Sequence, residues 1–150
     1  MKLAPLSANK SPLTIASTSE TRLPPLFGTA VRAGFPSPAD DFIETPLDIR
    51  EYLVKHPSAT FFARAEGDSM TEFGIFSGDL LIVDRALQPQ HGDVVIAAID
   101  GELTCKMLDL REQLLRAGNS RYPPIQLHDN AELLIEGVVA HSVRHHRCLR

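Results

Sequence analysis

No run of apolar residues in this sequence approaches the roughly 18 needed to cross a bilayer. The longest, such as Leu80 to Val83, are strand-sized. Pro5, Asn9 and Pro12 also interrupt the apolar character behind Lys2, so the N-terminus lacks the continuous hydrophobic stretch of a secretory signal. Cysteine is scarce. Cys105 and Cys148 are the only two and have no CxxC spacing, which excludes a disulfide-stapled secreted scaffold and fits a reducing, cytoplasmic setting. A basic excess is missing as well: the formal net charge is -4. Strong autonomous DNA binding is thereby excluded, and any role at DNA would run through a partner.

What is present suffices for one folded body. With 150 residues, 43% hydrophobic and 23% charged, the chain falls in the globular class. At this size folding buries roughly two-thirds of the surface of the unfolded chain, so stability requires neither disulfides nor a structural metal. The charge is divided unevenly. Residues 1–33 carry Lys2, Lys10, Arg22 and Arg32 against Glu20, a net of +3, which leaves -7 on residues 34–150. Residues 1–38 are rich in Pro, Ser and Thr and show no apolar period of 2 or 3.6. They are expected to form a flexible arm, with the body over 39–150.

Within the body, Thr45-Pro46 offers an N-cap followed by a proline suited to a first helical turn. Ile49, Tyr52 and Leu53 follow at helical spacing, and Lys55-His56 close the segment before Pro57. Strand signals then dominate: Phe61 to Ala65, Leu80 to Asp84, Val94 to Ile99, Leu103 to Leu108 and Glu132 to Val143. The expectation is a mainly β fold of twisted antiparallel sheets with one short helix. Asp100-Gly101 sits between two apolar runs and predicts a two-residue hairpin turn with positive φ at both positions. That turn sets Ile99 opposite Glu102, Ala97 opposite Thr104 and Val95 opposite Lys106. Lys106, the only lysine beyond residue 56, is therefore expected to project among apolar neighbours.

A buried lysine has chemical meaning. Desolvation lowers an amine's pKa, and only the neutral amine can act as a base toward a serine hydroxyl. Gly67-Asp68-Ser69-Met70 places such a serine on a glycine-containing turn behind a strand. Ser69 could equally cap a turn, and Lys106 could snorkel to water, so each residue alone is weak evidence. The pair is coherent. Cys105 alternates to the opposite face with Ile96 and reads as core rather than nucleophile. His141, His145 and His146 invite a metal reading, but no carboxylate or cysteine completes a ligand set at motif spacing. A solvated terminal strand suits them better, so neither a metal nor a cofactor is expected.

Four blocks in order, Gly67-Asp68-Ser69-Met70, Ser77-Gly78-Asp79-Leu80-Leu81-Ile82-Val83-Asp84, His91-Gly92-Asp93-Val94-Val95-Ile96 and Gly101-Glu102-Leu103-Thr104-Cys105-Lys106, resemble the catalytic domain of the LexA/UmuD family of self-cleaving Ser-Lys peptidases. The likeness to the UmuD branch continues through Ala33-Gly34-Phe35-Pro36-Ser37-Pro38, His56-Pro57-Ser58-Ala59-Thr60 and Gly137-Val138-Val139. It covers about residues 33–143. The resemblance implies Ser69 as nucleophile and Lys106 as general base. It further implies the backbone N–H groups of Asp68 and Ser69 as oxyanion hole, and the chain's own Ala33–Gly34 bond as substrate. It implies cleavage stimulated by a RecA filament on single-stranded DNA in the SOS response. The trimmed homodimer would then serve a Y-family polymerase of the UmuC kind in translesion synthesis.

Residues 1–33 are too short and proline-broken for the helix-turn-helix of a repressor, and a signal peptidase would need a membrane anchor. A non-proteolytic polymerase-binding module with a vestigial dyad is the alternative from another class; release of the arm under alkaline conditions separates the two. The sequence assigns no role to Glu72-Phe73-Gly74 and no docking contacts to residues 1–32.

Overall fold

The computed structural model describes residues 22–28, 30–31, 33–35, 44–127 and 132–147. Expectations that fall on residues 1–21, Arg32, residues 36–38 and Cys148 lie outside the described residues. The chain forms two compact units, one ending at Leu47 and the other beginning at Asp48.

In the first unit, β1 (Pro25–Phe27) pairs antiparallel with β2 (Glu44–Pro46), with Leu26 opposite Thr45. The Leu47 N–H extends the ladder to the Pro24 carbonyl at 2.9 Å. Three-residue strands are too short to display a period, which is why pattern reading misses them. They also correct the expected helix start. Thr45 and Pro46 are strand residues, and the cap is Asp48, whose carboxylate accepts from the N–H groups of Arg50 at 2.9 Å and Glu51 at 3.2 Å. An aspartate with two free amides ahead of it caps directly.

The second unit opens with α1 (Ile49–Leu53), the single α-helix among the described residues, and a 3-10 turn at Pro57–Ala59. Strands β3 (Thr60–Arg64), β4 (Leu80–Asp84), β5 (Val94–Ile99), β6 (Glu102–Asp109), β7 (Leu114–Arg116), β8 (Ile125–Gln126) and β9 (Leu133–Val143) follow. They make one antiparallel seven-stranded sheet in the order β3-β4-β9-β5-β6-β7-β8. The expected mainly β, antiparallel class therefore holds. The five expected strands are all present, with β4 and β5 at the expected bounds.

The hairpin turn behaves as its two residues require. Asp100 has φ 50° and Gly101 φ 82°, and the β5–β6 ladder pairs Ile99 with Glu102, Ala97 with Thr104 and Val95 with Lys106. β9 inserts between β4 and β5, and its ladder shifts register against each of them. Gly137 lies in that insertion; a Cβ there would fall 2.8 Å from Val83 Cγ1.

Alternation splits the apolar residues into two clusters. One gathers Met70, Ile75, Leu81, Val83 and Ile96, with Phe61, Ala63 and Cys105 packed against it. The other gathers Val95, Ala97, Leu108, Leu115 and Val138. Leu81, Leu108 and Leu115 are essentially inaccessible, and each such side chain stabilises the fold by about 1.5–3 kcal/mol. The first cluster underlies the turn that carries Ser69; the second holds the strands on either side of Lys106.

Candidate active site

Ser69 is carried by the turn after β3, where Gly67 adopts φ 84°, a left-handed conformation that L side chains rarely take. Met70, the next residue, is buried in the first cluster and anchors the turn. A 3-10 turn at Thr71–Phe73 follows. Ser69 itself is half-buried.

Lys106 comes from the middle of β6 and is 7% exposed, although among the described residues no carboxylate pairs with it. Its Nζ lies 3.2 Å from Ser69 Oγ, 3.1 Å from Thr104 Oγ1 and 3.0 Å from the Cys105 carbonyl oxygen. Burial lowers the pKa of this amine, and the neighbouring Cys105 opposes that only in part. The three contacts suit both protonation states. An ammonium has three donors for three acceptors, whereas the neutral amine has two N–H donors and one lone pair. With the donors on Thr104 Oγ1 and the Cys105 carbonyl, the lone pair is left facing the Ser69 O–H. That is the arrangement a general base requires.

Cys105 is half-buried against the first cluster, as alternation predicts. Burial pushes its thiol up to about 11, which leaves it protonated at neutral pH. A cavity of about 280 Å³ adjoins the serine, lined by Ala63, Ala65, Met70, Leu81, Ile96 and Leu103 together with Gly67 and Ser69 themselves. Arg64, Glu66 and Thr104 line it as well, so a wall of mixed polar and apolar character leaves room for small side chains of a peptide beside the hydroxyl.

The carbonyls and amides of the turn differ in their engagement. The Asp68 carbonyl accepts from Asn119 Nδ2 at 3.0 Å and Thr71 Oγ1 at 3.2 Å, and the Ser69 carbonyl accepts from the Gly118 N–H at 2.7 Å. Among the described residues the Ser69 N–H has no acceptor, whereas the Asp68 N–H faces its own carboxylate, which helps to hold that group below its usual range. Ala33 and Gly34 belong to the first unit, where both are exposed and the space around the Gly34 Cα is open.

The sequence reading missed several supports. Asp79 is 2% exposed and takes a bidentate pair from Arg144, Nε to Oδ1 at 2.9 Å and Nη2 to Oδ2 at 2.6 Å. The Arg144 guanidinium also stacks 4.0 Å from the Phe76 ring centroid and donates to the Gly74 carbonyl. The far end of β9 thereby pins the segment after the Ser69 turn. The hydrogen bond from Arg144 holds the Asp79 carboxyl below its usual range. Phe73, left without a role by the sequence, lays its ring on Gly118, where a Cβ would come within 2.4 Å of Cδ2. No sequence signal ties these residues together, because they are about 45 to 70 positions apart. Of the three C-terminal histidines, His141 lies in β9 opposite Ile82, and no metal-holding group of three His, Cys, Asp or Glu occurs among the described residues.

A family model described as peptidase S24-like matches residues 25–140. The chain belongs to that family. Peptidase S24-like proteins are peptidases of the serine kind, and the relatives of this one are UmuD-like. The protein ImpA of Salmonella typhimurium is 46% identical over 134 residues, which cover 89% of this chain and 92% of that protein. SamA of Salmonella typhimurium is 50% identical over 116 residues, 77% of this chain and 81% of that one. MucA of Escherichia coli is 43% identical over 129 residues, covering 84% and 88%. No helix among the described residues of this S24-like chain is long and apolar enough to cross a membrane.

Proposed function

We propose that this chain is a self-cleaving serine endopeptidase of the SOS response that cuts its own Ala33–Gly34 bond. The observation that carries the reading is a desolvated amine, without a carboxylate partner among the described residues, whose Nζ lies 3.2 Å from Ser69 Oγ. A fold gains nothing in stability from burying an unpaired lysine, so the arrangement is best explained by the base it creates.

In the proposed reaction the Nζ lone pair of Lys106 takes the Ser69 proton while Oγ attacks the Ala33 carbonyl carbon. The oxyanion that forms would face the N–H groups of Asp68 and Ser69; one such donor is worth about 100- to 1,000-fold in rate. As the Ala33–Gly34 C–N bond breaks, the Lys106 ammonium gives its proton to the Gly34 amine. The Ala33 acyl group stays on Ser69 Oγ. Lys106, neutral again, then takes a proton from water as the water oxygen attacks the ester, and returns that proton to Ser69 Oγ as the Oγ–acyl bond breaks; the freed Ala33 carboxylic acid ionises in solvent.

The UmuD-like relatives support the setting: stimulation by a RecA filament on single-stranded DNA, and use of the trimmed homodimer by a Y-family polymerase in translesion synthesis. The reading is tested by incubating the full chain with activated RecA, and separately at alkaline pH, beside Ser69→Ala and Lys106→Ala. Mass spectrometry should find a fragment beginning at Gly34 from the parent alone. An intact parent under both conditions would instead support a binding module with an idle dyad, and Gly34-started product from both variants would rule out the dyad.

A further inference from the structure

The loop over residues 117–122, between β7 and β8, grips the nucleophile turn at several points. Besides the Gly118 N–H on the Ser69 carbonyl, the Gly118 carbonyl accepts from the Glu72 N–H at 2.9 Å and Thr71 Oγ1 at 3.5 Å. Asn119 Nδ2 donates to the Asp68 carbonyl at 3.0 Å, while its Oδ1 accepts from the Arg121 N–H at 3.1 Å. The Tyr122 hydroxyl donates to Asp68 Oδ1 at 2.5 Å, and Arg121 Nη1 stands 3.8 Å from Oδ2.

The contact made by Asn119 has a geometric consequence. The Asp68 carbonyl and the Ser69 N–H belong to one peptide group, which is planar and trans, so the two bonds point in opposite directions. A donor that fixes the carbonyl on one side fixes the aim of the N–H on the other. The same hydrogen bond polarises the peptide and makes its N–H a better donor. Tyr122 holds the Asp68 side chain and so limits rotation of the turn about that peptide.

We propose that Asn119 is a positioning residue for self-cleavage, aiming the Ser69 N–H at the developing oxyanion, with Tyr122 as a second anchor. The proposal rests on Ser69 being the nucleophile. It assigns Asn119 two separable tasks: Oδ1 shapes its own loop through Arg121, and Nδ2 orients the 68–69 peptide.

Asn119→Asp separates them, because a carboxylate keeps the acceptor for Arg121 and loses the donor to Asp68. The full-length variant should self-cleave about 10- to 100-fold more slowly at the alkaline plateau. Its pH for half-maximal rate should match the parent's, since Lys106 is untouched, and its melting temperature should stay within a few degrees. A rate within twofold of the parent overturns the proposal. So does a displaced pH profile, which would place the effect on the lysine. Should Asn119→Asp not fold, Tyr122→Phe at an exposed site carries the same test, with an expected loss of about tenfold. Cleavage persisting in Ser69→Ala would overturn the nucleophile assignment itself. An inert Ser69→Ala beside a fully active Asn119→Asp overturns the positioning role alone.

Discussion

The pH dependence of the proposed self-cleavage follows from one buried amine. Lys106 is 7% exposed, and desolvation lowers its pKa, so its neutral form appears below the ordinary lysine value of about 10.4. Below the lowered pKa the neutral fraction, and with it the rate, should rise about tenfold per pH unit and then level off. The same shift bears on stability. The unfolded chain holds the proton more tightly than the folded one, so stability rises with pH from the lowered pKa up to about 10.4 and is fully present above it. Each unit of depression is worth about 1.4 kcal/mol. Lys106→Met removes the charge while keeping the volume. It leaves the Cys105 carbonyl short of one donor, at a cost of about 1 kcal/mol. The variant should therefore be inactive, lower in rate by at least 100- to 10,000-fold. It should also be at least as stable as the parent at pH 7, with a flatter pH–stability curve. Quantifying the Gly34-started fragment from pH 7 to 11, alongside urea titrations at the same values, measures both arms. A half-maximal rate at or above 10.4, a rate independent of pH, or cleavage by Lys106→Met would refute the reasoning.

Two further outcomes probe the frame that holds the site. Gly137→Ala pushes a methyl to 2.8 Å from Val83 Cγ1 and 3.2 Å from the Asp84 carbonyl. Because Val83 is fully buried and the other contact is backbone, neither can yield, and a destabilisation of about 1–3 kcal/mol is expected from the urea midpoint. Asp109 accepts from Arg116 Nε at 2.7 Å and from the N–H groups of Arg111 and Glu112, and its carboxyl is lowered to about 2, chiefly by Arg116. Its contribution to stability is complete above the unfolded value of about 3.9 and is lost as pH falls toward 2. Arg116→Ala should move acid unfolding to higher pH; an unchanged midpoint followed by circular dichroism would count against this pair.

Much of the molecule was legible in order of residues. Asp100-Gly101 dictated a tight turn because both positions needed positive φ, and with the turn came the facing of Val95 and Lys106. Continuous apolar runs with turn residues between them marked β4 and β5 to the residue, and a serine behind Gly67 together with a lone lysine among apolar neighbours was enough to suggest which side chains to pair. The limits were equally physical. Three-residue strands such as β1, β2 and β7 show no period, and Thr45 resembled a cap until the Asp48 carboxylate took the amides of Arg50 and Glu51.

Only the tertiary structure decided what surrounds the amine and what braces the serine. β9 lies between β4 and β5 although it follows both by about 35 residues or more. Arg144 reaches Asp79 across 65 positions, and Asn119 reaches the Asp68 carbonyl across 51. Local pattern carries no signal at such separations, because these contacts arise only when non-adjacent strands close the sheet and bring two loops to one end of it.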